Sequence, residues 1–151
     1  MIAMQGRNAA TRVCLIVSLL LTVTLTVSGR NHQSNGYGPE VSSFLDLMRH
    51  EEDELEFLYR HNQVTRREYV RAKAEITIHR QAVLNLVKET GEDRVPELHV
   101  VAATDVDQLI EDGANALKGI KEGDVIKDKW RYLGSLRRGE TFYIFERLTP
   151  K

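Results

Sequence analysis

Seventeen consecutive uncharged residues, Val13 to Gly29, restrict this chain more than any other feature. They open on the apolar run Cys14-Leu15-Ile16-Val17-Ser18-Leu19-Leu20-Leu21, and the residues ahead of them carry Arg7 and Arg12 but no acid. A positive start followed by an apolar stretch is the layout of a secretory signal. Thr22, Thr24, Thr26 and Ser28 dilute the stretch, and a spanning helix needs about 20 mostly apolar residues. Its length therefore suits a cleaved signal or a retained anchor, with a buried core helix as the remaining alternative. Val27 and Gly29 stand where the small residues before a cleavage site belong. In either export reading the arginines hold the N-terminus inside. Residues 30–151 are then expected outside the cytoplasm: periplasmic, secreted, or anchored in the inner membrane through residues 13–29.

The only cysteine, Cys14, lies in that segment. The exported part is thus expected to have no disulfide, no zinc–thiolate site and no cysteine nucleophile. Small secreted animal domains usually rely on disulfides, so the composition points to a bacterial envelope. Beyond residue 29 the acids exceed the bases by three, a balance that predicts no bulk affinity for nucleic acid.

Residues 30–39, polar and rich in Gly and Asn, read as a flexible spacer. Residues 40–91 read as a helical hairpin. The first helix is expected from about Ser43 to His61, with Val41, Phe44, Met48, Leu55 and Leu58 on a three-four spacing. Thr65-Arg66-Arg67-Glu68 is a capping box that starts the second helix, and Gly91 supplies its left-handed stop after Thr90. The connection Asn62-Gln63-Val64 permits only an antiparallel turn, so counting outwards pairs Leu58 with Tyr69, Leu55 with Ala72, Met48 with His79 and Phe44 with Val83. Residues 40–62 carry 7 acids and 2 bases, and residues 65–90 carry 3 acids and 6 bases. Opposite charge on the two helices favours pairing within one chain.

The stretch Leu55-Glu56-Phe57-Leu58-Tyr59, followed by Val64-Thr65-Arg66-Arg67-Glu68-Tyr69 and Lys73, resembles the short helical hairpin called the SHOCT module. The resemblance covers roughly residues 54–76. Asn62 stands where that family usually has a turn glycine, and the module sits mid-chain instead of closing the protein. The resemblance implies an interaction or oligomerisation role and no activity.

Residues 95–148 read as a small α/β module. Leu98–Ala102 has the pattern of a strand, Thr104–Asp107 that of a cap on a short helix through Ile110, and Val125-Ile126 follows a glycine turn. Trp130–Leu136 and Thr141–Arg147 are expected to form a hairpin around Arg138-Gly139. That register sets Arg137 opposite Glu140, Ser135 opposite Phe142, Leu133 opposite Ile144, Arg131 opposite Glu146 and Tyr132 opposite Phe145. The fold class expected is α+β: an export helix, an antiparallel helical hairpin, then a three- or four-stranded, mainly antiparallel sheet with one short helix.

The search for chemistry gives little. His50-Glu51-Glu52-Asp53-Glu54 lacks the spacing of H-E-x-x-H and of carboxylate-bridged bundles, and it reads as a solvated acidic face with His79 as a hydrogen-bonded seam residue. Asp105, Asp107, Glu111 and Asp112 are explained by capping and solvation. Gly113 to Gly119 is not followed by the Lys-Ser/Thr of a phosphate loop. No catalytic, metal or cofactor-binding residue is expected. Two surfaces remain. Helix two carries a second apolar row off the seam, Val70, Ala74, Ile78 and Ala82, which either the α/β module or a partner must cover. The C-terminal residues 127–151 carry 7 bases and 3 acids with five aromatics interleaved. The reading is a non-enzymatic envelope protein with an interaction or oligomerisation module, its partner a second copy or another envelope protein. The alternative is a domain that grips an anionic lipid head group or cell-wall polymer through its basic aromatic hairpin, with Arg137 and Arg138 leading.

Overall fold

A computed structural model describes residues 36–148, and the stretch read above as an export segment, with most of the expected spacer, lies outside them. The described residues are α+β. Helix α1 (Pro39–Arg60) and helix α2 (Arg66–Thr90) precede strand β1 (Leu98–Ala102), single-turn helices α3 (Val106–Leu109) and α4 (Gly113–Ala116), and strands β2 (Val125–Ile126), β3 (Trp130–Arg138) and β4 (Glu140–Arg147). The sheet is antiparallel throughout, in the order β1-β4-β3-β2.

Helix α1 starts four residues earlier than its apolar spacing suggests. Pro39 occupies the first turn, where a missing N–H costs nothing, so the end of the expected spacer is helical. The cap comes from a distance: the Asp93 carboxylate, beyond α2, accepts from the N–H groups of Glu40 at 3.1 Å and Val41 at 3.0 Å. Glu40 answers by accepting from the Val95 N–H at 2.7 Å. Helix α2 has the expected ends. Thr65 accepts from the Glu68 N–H, the Glu68 carboxylate accepts from the Thr65 N–H, and Gly91 closes the helix at φ +70°.

Between the helices, Asn62 turns the chain at φ +55°, a conformation asparagine tolerates better than most side chains. The antiparallel seam is close to the counted one. Tyr59 stacks on Tyr69 with centroids 4.3 Å apart, and Glu52 pairs with Lys73 at 3.3 Å and Arg80 at 3.5 Å. His79 meets Phe44 edge-on at 5.3 Å, one turn from the expected Met48.

The sheet is covered on both faces. Leu98, Ala102, Phe142 and Ile144 point to the helical hairpin, where Ala74, Ile78, Phe44, Met48 and Val83 meet them. Trp130, Tyr132 and Phe145 point the other way, onto Val106 and Ile110. The alternation Phe142-Tyr143-Ile144-Phe145 feeds both layers because successive strand residues face opposite sides. Helix α4, unforeseen in the sequence, helps fill this second layer through Ala116.

The β3–β4 register corrects the sequence reading in its outer half. Only Gly139 separates the paired Arg138 and Glu140, and the pairs that follow are Arg137 with Thr141, Leu136 with Phe142 and Ser135 with Tyr143. A bulge between Tyr132 and Gly134 then absorbs one residue, so Tyr132 opposite Phe145 and Arg131 opposite Glu146 stand as expected. Gly134 permits it at φ +134°, where an added Cβ would also approach Glu122 Oε1 to 2.9 Å. Leu133, beside the bulge, packs on the helical side, and Tyr132 packs on the other.

Candidate functional site

The second apolar row of α2 is not an open surface. Ile78 is 1% exposed and Ala74 is buried, both against Ala102, Phe142 and Ile144, with Ala82 packed alongside. The chain's own sheet covers three of the four residues. Val70 alone, beyond the sheet's end, remains 55% exposed.

The basic aromatic strand pair is also divided by burial. Trp130, Tyr132, Phe142 and Phe145 are core residues, so they offer no faces for stacking on a ligand. Arg137 and Arg138 are exposed at the hairpin tip. Arg131 spends its charge across the strands on Glu146 at 2.9 Å, and Arg147 on Glu97 at 3.0 Å.

Two features escaped the sequence. The first is an aromatic and apolar end on the helical hairpin. Phe57 is 54% exposed and lies against the His61 ring at 4.0 Å, and the half-exposed Tyr59 shows one face while the other stacks on Tyr69. Arg66 and Arg67 are exposed beside them, and Arg60 is held by Glu56. No periodicity marks this end, because Phe57 and Tyr59 lie between the seam positions.

The second is a charged junction between α2 and the sheet. Arg71 donates to Asp105 and, at 3.2 Å, to the Thr104 hydroxyl, and its Nε lies 3.5 Å from Glu75 and 3.4 Å from Glu140. Burial pushes the Glu75 carboxyl up to about 7; Arg71 pulls it down, while Asp105 and Glu140 push it further up. The four residues span seventy positions of sequence, so only the fold brings them together.

On the seam, burial holds His79 down at about 4, with His99 adding repulsion, and raises Glu51, with Glu54 contributing. His79 packs edge-on against the Phe44 ring. Among the described residues no group of three His, Cys, Asp or Glu side chains is placed to hold a metal ion. A shallow open groove of about 520 Å³ passes Tyr37, Leu84, Lys88, Glu92 and Asp93, and Asp93 is engaged in capping α1. No helix among the described residues is long and apolar enough to cross a membrane.

Comparison with family models, curated proteins and solved structures finds no match to this chain.

Proposed function

We propose that the chain is a non-enzymatic interaction module of the cell envelope, tethered or released by residues 13–29, which docks a protein through the closed end of its helical hairpin. The carrying observation is that Phe57 and Val70, close to the inter-helix loop, are the hairpin's most exposed large apolar side chains at 54% and 55%, with Tyr59 exposed at the same end, whereas farther along α1 Leu47 is the exposed apolar residue at 42%. Exposed aromatics and arginines, here Phe57 and Tyr59 with Arg66 and Arg67 just past the turn, are enriched among the side chains that anchor protein interfaces. The partner face they suit is an apolar groove with an acidic rim. The SHOCT-like stretch covers this same end, and its resemblance supports the same role.

A photo-crosslinking residue at position 57 of the full-length chain tests this in cells. A discrete protein adduct in the envelope fraction, lost on Val70→Asp and not formed from position 137, is the expected result. No adduct at 57, or equal yield from both positions, would contradict it. A second reading rests on the exposure of Arg137 and Arg138: an anionic polymer or head group held by charge alone. Reversing both charges should then abolish binding to anionic vesicles and leave the fold intact.

A further inference from the structure

Helix α2 meets the sheet through two kinds of contact. From Ala74 to Ala82 the contact is apolar. Towards the loop Val70 is 55% exposed, and Arg71 reaches Asp105 and Glu140 through ion pairs. There one guanidinium stands among three carboxylates from three parts of the fold: Glu75 on its own helix, Asp105 after β1, and Glu140 at the start of β4. The Arg71 Nε–H is buried without a hydrogen bond, held between Glu75 and Glu140 at ion-pair distance. Fully ionised, the junction carries two negative charges in excess, partly withdrawn from water. One proton on a carboxylate removes one charge, its repulsion with the other two acids and its own desolvation penalty.

We propose that this junction is a proton-operated latch, closed while Glu75 holds a proton and loosened when that proton leaves. Glu75 is the member placed to feel both other acids. The charges acting on it are Arg71 from its own helix, Asp105 from the turn after β1 and Glu140 from β4. The charges on the α1 seam are Glu51 and Glu52, with Glu52 paired to Lys73 and Arg80. A midpoint near 7 places the switch at neutral pH. Above it, Glu75 and Glu140 repel across Arg71, and the loop end of α2 lifts from β4 and the Thr104–Asp105 turn while the Ala74–Ala82 contact holds. The latch works whatever the closed end binds.

Amide hydrogen exchange of the full-length chain in detergent, corrected for the intrinsic pH dependence of exchange, reads the latch directly. Opening exposes Glu75, so the free acid's lower affinity for the proton drives the equilibrium. Glu75 keeps 35% of its side chain exposed in the closed junction, so solvent screening moderates the effect, and between pH 6 and pH 8 protection at residues 66–75 and 102–105 should fall by a few-fold, while protection at 98–101 should stay constant. Glu75→Gln should hold the pH 6 protection at pH 8. Glu140→Gln, which keeps Glu75, should move the midpoint down, and the Glu75 carboxyl carbon should report the same midpoint by NMR. Protection independent of pH in the wild type, or unchanged pH dependence in Glu75→Gln, would overturn the latch.

Discussion

Asp93 caps a helix that began fifty-four residues earlier, its carboxylate accepting the Val41 N–H at 3.0 Å. The loop after α2 thus fixes the start of α1, and the two ends of the helical hairpin are tied at the side away from its turn. Gly38 leaves room for this. A Cβ there would come within 2.2 Å of Asp93 Cγ, although the Gly38 backbone itself is ordinary at φ −70°. Asp93→Ala should cost about 1 kcal/mol, the usual worth of an N-cap. Gly38→Ala should cost at least as much by expelling the same carboxylate. Because both lose one interaction, the double variant should be no worse than the poorer single one; urea titration of all three checks this.

Ile78 and Val70 share a helix face and have opposite fates. Ile78→Ala should lose about 2–5 kcal/mol, the cost of a cavity between α2 and the sheet, whereas Val70→Ala should stay within ~0.5 kcal/mol. Thermal unfolding separates the two. Similar small losses at both positions would mean that the row does not pack on the sheet.

Stability against pH has two opposed contributions. His79 is held near 4 in the folded chain against an ordinary 6.5, so its contribution is intact above 6.5 and lost as pH falls towards 4. Glu75 is held near 7 against an ordinary 4.5, so its contribution is intact below 4.5 and lost as pH rises through 7. From 4.5 to 6.5 the slopes oppose each other, and the urea midpoint should be nearly flat. His79→Leu should uncover a fall across that window, and Glu75→Gln should leave the acid-side loss dominant, with Glu51 supplying the remaining fall as pH rises.

Asn62 gives a local test of the hairpin turn. Asn62→Gly should be tolerated, because φ +55° costs glycine nothing. Asn62→Val should destabilise by about 1–2 kcal/mol, since a β-branched side chain is strained there. Equal stability of the two variants would contradict the left-handed turn.

Local chemistry made much of this fold legible. The Thr65–Glu68 box, Gly91 and the short connection at Asn62 each act within a few residues, and they fixed α2 and the antiparallel turn. The strands were legible from alternation, and the sign of the Arg131–Glu146 pair fixed their inner register. What stayed hidden depends on distance. The start of α1 is set by Asp93 from across the hairpin, and no spacing near Pro39 encodes it. The outer β3–β4 register depends on a bulge that serves two layers at once, one of them completed by α4. The Arg71 junction is four separated residues with ordinary neighbours. The apolar row on α2 was visible, but what covers it was not, because the sheet that does so lies at the other end of the chain.

The proposed export sets both the tether and the envelope setting of the partner. Fractionation of cells expressing the full-length chain, with intact-mass spectrometry of the recovered protein, measures it. The account predicts recovery from the envelope or the medium, either as the intact chain in membranes or as a chain beginning at Arg30. The intact polypeptide free in the cytosol would contradict it.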